Sequence, residues 1–128
     1  MRRNTFLTIS AVIAMVIGLI ALCFPTILLK SKGIVNNPQA NVWMSEVGIL
    51  LIAIGTMVYF IRNESYSRVI KAVIIGIIMI QLGLLIIEVY AYYMGIITEI
   101  MGIIPNSIIH IVLIIGLFHY LVKGNREI

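Results

Sequence analysis

Glu46, Glu88 and His110 each stand inside a long apolar stretch, away from the charged ends of the chain. An ionisable group placed there is costly, and it is a functional candidate by default. Two carboxylates and an imidazole span several chemistries. A glutamate–histidine pair can pass a proton, because imidazole titrates near neutrality. The same three groups suit a divalent metal, although a firm site needs closer spacing or a fourth ligand. They also suit the polar head of a lipid-like molecule. A plainer reading competes with all three: the glutamates snorkel to a nearby interface, and the histidine bonds a neighbouring helix. Gln81 lies seven residues before Glu88, which gives their helix a polar stripe. Trp43 and Tyr92 add amphipathic rings at the same end of the molecule. Glu46, Glu88, His110, Gln81, Trp43 and Tyr92 are therefore the candidate ligand-binding residues. No residue is assigned to catalysis or to a metal, and no cofactor is implied.

The elements that must position these groups are four apolar runs, about 5–29, 42–61, 69–94 and 105–122. A bilayer core of roughly 30 Å needs about 20 such residues in helical form. Hydrophobic residues make up 62% of the chain and charged residues 11%. A soluble fold of this size could not hide so much apolar surface. The expected fold class is all-α: an antiparallel four-helix membrane bundle in one four-span domain covering residues 1–128. Glu46 lies 15 residues from the Ile61 end of its run, or roughly 22 Å. Glu88 lies 17 residues from Lys71, or roughly 25 Å, and His110 lies 12 from Val122, or roughly 18 Å. The three reach similar heights in the outer part of the membrane, where one pocket could hold them.

Charge sets the expected orientation. Arg2, Arg3, Arg62, Arg68, Lys71, Lys123 and Arg126 fall on one side of a four-span chain, against Lys30 and Lys32 on the other. The positive-inside rule then places both termini in the cytoplasm. The net charge of +4 is dispersed among these connections and is not a nucleic-acid footprint. Cys23 is the single cysteine, which excludes a disulfide within the chain; it is expected as a buried small apolar residue.

Glycines mark the expected contact faces. Gly48 and Gly55 stand seven apart on the second run, and Gly76 and Gly83 seven apart on the third. Such stripes let helices approach closely in lipid. The glycine faces are expected against neighbouring helices and the polar faces toward an interior cavity. Pro25 is expected to kink or finish the first helix. Gly33, Asn36, Asn37 and Pro38 supply turn chemistry, and Asn106 or Ser107 is the expected cap of the fourth helix. The greasy connection Gly95–Asn106 is expected to hold one short helix.

Phe24-Pro25 closing the first run, the Asn37-Pro38 link, and the segment from Asn41 to Gly48 entering a run with Gly55 resemble small DoxX-like bacterial four-helix membrane proteins. The resemblance covers the whole chain in topology and about one helix in motif. It implies a multi-pass protein of the bacterial inner, or cytoplasmic, membrane. Some members are linked to respiratory quinol chemistry, but the chain has no haem-ligating pair and no second cysteine, so redox activity is not carried over. Four-helix sterol isomerase-type proteins share the architecture, without a signature recognisable here.

The expected function is the binding of a hydrophobic or amphipathic small molecule, or the support of a membrane assembly, through an outer-leaflet pocket. This reading is non-enzymatic. Membrane lipids and a lipid-like or quinone-like ligand are the expected partners, with a second copy or another membrane protein alongside. A small proton-coupled transporter acting as an oligomer is one alternative. An intramembrane isomerase-like enzyme using Glu46, Glu88 and His110 is the other.

Overall fold

The computed structural model describes residues 2–35 and 37–124. Asn36, expected as turn chemistry, and Arg126, counted among the cytoplasmic charges, lie outside them. All regular elements among the described residues are helical: α1 (Arg3–Cys23), α2 (Pro25–Ser31), α3 (Pro38–Ile61), α4 (Arg68–Tyr93), a 3-10 turn (Ile100–Gly102) and α5 (Ile104–Gly124). Four helical stretches are long and apolar enough to cross a membrane: α1, α3, α4 and the stretch Ile100–Gly124.

The helix ends depart from the apolar runs for local reasons. Phe24 leaves the helical region (φ −134°, ψ 51°) and ends α1. Pro25 has no N–H for the Ala21 carbonyl one turn back, so the ladder stops and the proline instead starts α2. The first run is thus two helices rather than one. α3 starts four residues before Val42, where the second apolar run begins. Asn37 accepts from the backbone N–H groups of Gln39 at 3.0 Å and Ala40 at 3.4 Å, and Pro38 takes the first helical position. What reads as turn chemistry is a helix N-terminus. Arg62 closes the far end of α3: its guanidinium lies 3.5 Å from the centroid of the Tyr59 ring and donates to the Tyr59 carbonyl. Ser67 caps α4 by accepting from Ile70 N at 3.3 Å. Gly95, at φ +70°, turns the chain out of α4. The greasy connection holds the single 3-10 turn, with Ile97 and Ile103 buried. Neither Asn106 nor Ser107 caps α5. The helix starts at Ile104, Ser107 N already donates to the Ile103 carbonyl, and the Asn106 side chain is engaged elsewhere.

The helices fall into two compact units, one ending at Asn63 and the other starting at Glu64. In the first unit α1 and α3 pack antiparallel along small residues. A Cβ added to Gly18 would lie 2.8 Å from the Gly48 carbonyl oxygen, and one on Gly48 would lie 2.7 Å from that of Gly18. Seven residues along α3, a Cβ on Gly55 would lie 2.8 Å from the Ala11 carbonyl oxygen. These are backbone obstacles, so the helices can meet this closely only at glycine. The expected glycine face of this helix is present.

The second unit is built differently. Along α4 the buried positions are Ile70, Ile74, Ile77, Gln81 and Glu88. Along α5 they are Leu113, Leu117, Tyr120 and Gly124. Steps of three, four and seven residues keep one seam facing its partner. Gly124 lies against the Tyr66 ring, and Tyr66 Oη donates to the Leu121 carbonyl at 3.2 Å. The expected role of the other glycine pair is corrected here. Within this unit a Cβ on Gly76 or Gly83 would meet nothing within 4 Å. Here the polar stripe, not the glycine stripe, faces the neighbouring helix. Cys23, expected to be buried, is exposed on its helix surface.

Candidate functional site

The α4–α5 seam gathers three of the candidate residues. Glu88 is buried at 7% exposure, and its Oε1 accepts from Asn106 Nδ2 at 3.2 Å. Gln81 is also buried, and its Oε1 lies 2.5 Å from His110 Nδ1. With the amide oriented this way, Nδ1 carries the proton and a neutral ring has its lone pair on Nε2. The two rungs are separated by seven residues on α4 and four on α5, or roughly 6–10 Å along the axes. Their order is antiparallel, and together they fix which turn of α4 meets which turn of α5. Below them the seam is apolar until Tyr120. The arrangement can hold two helices in register, and it keeps a carboxylate and an imidazole on one line.

Glu46 belongs to the first unit. It is exposed on α3 beside a depression of about 390 Å³ lined by Leu22, Asn41, Val42, Ser45, Glu46 and Ile49. Five of the six come from one side of α3, spaced by one, three and four residues. Leu22 comes from the last turn of α1, just before the break at Phe24. Ser45 Oγ donates to the Leu22 carbonyl at 3.3 Å and joins the two walls. A helix end leaves its last carbonyls without intrahelical donors, so this bond satisfies a group that the break sets loose. The result is an apolar trough (Leu22, Val42, Ile49) with a polar edge (Asn41, Ser45, Glu46).

Trp43 is exposed at 68% and Tyr92 at 41%, each on the outer surface of its helix. Among the described residues, no three His, Cys, Asp or Glu side chains come together as a metal ion would need. Asn106, Ser45 and Asn41 are site residues that the sequence reading missed. Asn106 stands four before His110, so the two share a helix face, and this spacing was a usable signal. Ser45 stands three before Gly48 and so shares its packing face. No protein-family model, curated protein or solved structure matches the chain.

Proposed function

We propose that this is a four-span protein of the bacterial cytoplasmic membrane, with both termini inside, that binds an amphipathic small molecule in the trough beside Glu46. The trough itself carries this reading. Small-molecule sites are concave and mostly apolar, with a few polar groups that fix orientation, and the lining of Leu22, Val42, Ile49, Asn41, Ser45 and Glu46 has that composition. Its place supports an amphipathic rather than a wholly apolar ligand. The polar edge lies within the first three turns of α3, close to the end of α1; a span entering the bilayer there would offer the interface to a head group and lipid to a tail. The charge bias of the connections supports the orientation, and it puts this end of the helices outside.

The seam of the second unit takes a supporting role in this reading. Glu88, Asn106, Gln81 and His110 hold α4 to α5, because hydrogen bonds between helices help to pair them where lipid is the solvent.

Photolabelling tests the proposal. A diazirine-bearing alkyl amphiphile, irradiated with the full-length protein in maltoside micelles, should label peptides containing Leu22 and residues 41–49. Unlabelled amphiphile should suppress that labelling. Labelling spread evenly over all four spans, with no competition, would remove the reading.

A further inference from the structure

We infer that the head group taken by this trough is cationic, a protonated amine on an alkyl chain. The inference rests on the ligand reading above and sharpens it. An ionised Glu46 only accepts. Ser45 has one proton and gives it to the Leu22 carbonyl, so its oxygen faces a ligand as an acceptor. The Asn41 amide is the lining group able to donate from its side chain. Among the described residues, no lysine or arginine lines the trough, and α1 has no basic residue in its last turn. Lys30 and Lys32 sit at the far end of α2, outside the lining. A carboxylate with acceptors around it calls for a head that donates and carries positive charge.

Trp43 supplies a second, independent reason. It precedes Glu46 by three residues on α3, and side chains at that spacing are neighbours on a helix surface. Its ring is exposed, and tryptophan is the best aromatic partner for a cation. A carboxylate on the polar edge and an indole one turn before it on the same helix complement an ammonium head, and the apolar wall of the trough complements its tail. An anionic head would meet Glu46 with like charge, and a neutral head would leave that charge without a counter-charge.

Trp43 is the one tryptophan of the chain, so its emission reports from beside the trough. The test titrates the full-length protein in maltoside micelles with dodecylamine, dodecanol and dodecanoate at neutral pH. Retention of radiolabelled probe on immobilised protein is the second readout. The amine should saturate at about tenfold lower concentration than the alcohol, a ratio worth roughly 1.4 kcal/mol, and the acid should bind more weakly than both. Glu46→Gln should move the amine to the alcohol's midpoint and leave the alcohol where it was. Glu46→Lys should reverse the order of amine and acid, which a merely structural glutamate would not do. Equal midpoints for amine and alcohol, or a gap that survives Glu46→Gln, would overturn the cationic head and leave amphiphile binding standing. No saturable binding of any of the three by either readout would remove both.

Discussion

At the scale of single residues, the seam between α4 and α5 turns on two hydrogen bonds made by side-chain amides. Gln81 faces His110, and Asn106 faces Glu88. Hydrogen bonds between helices in lipid are worth about 0.6–2 kcal/mol each. A double-mutant cycle on Gln81→Ala and His110→Ala, read by unfolding in mixed micelles, should give a coupling of about 1 kcal/mol. Strict additivity would show that the 2.5 Å approach carries no energy. The sequence marked these residues as unusual without showing their partners. A polar group in an apolar run is served equally well by a cavity or by an amide on the facing helix. Nothing in Gln81 or Glu88 separates the two cases. Asn106 could have done so through its spacing from His110, but its place near a helix start made capping the nearer explanation.

At the scale of elements, the two helix pairs solve the same problem by different means. Helices surrounded by lipid gain little from burying apolar side chains against one another. The α1–α3 pair gains contact by bringing backbones together at Gly18, Gly48 and Gly55. The α4–α5 pair gains it through polar rungs and a seam of larger side chains. The glycines should therefore respond unequally. Gly48→Leu forces a side chain into backbone atoms, and it should cost α1–α3 packing about 1–3 kcal/mol, the usual penalty of overpacking. Gly83→Leu should leave α4–α5 pairing unchanged within about 0.5 kcal/mol, as surface substitutions do. Unfolding of each variant, followed by circular dichroism, checks both. The four runs and the Gly48–Gly55 face were legible, because length and small residues leave a mark in sequence. The Gly76–Gly83 stripe has the same spacing and a different surrounding. Uniformly apolar helices give no contrast from which to read a facing direction.

The same limit explains the helix ends. Pro25 and Pro38 look alike as punctuation. Pro25 interrupts an established ladder, whereas Pro38 follows a residue whose side chain caps two N–H groups. Only the backbone around each decides whether a proline ends one helix, starts another, or does both.

At the scale of the whole molecule, an outward-facing trough needs four crossings with both ends inside. Cysteine variants placed at Glu64 and at Glu99, on a Cys23→Ala background, should be labelled by a membrane-impermeant maleimide from opposite sides. Glu99 should react in intact cells and Glu64 only after the membrane is opened. The reverse pattern would invert the topology and put the trough on the cytoplasmic side.

Native mass spectrometry of the purified protein tests the central claim most directly. The wild type should carry an alkyl amphiphile that survives release from the micelle. Ile49→Trp, which fills the trough from its apolar wall, should release a folded protein without that mass. A wild type that carries nothing, or a filled variant that carries the same adduct, would contradict the account.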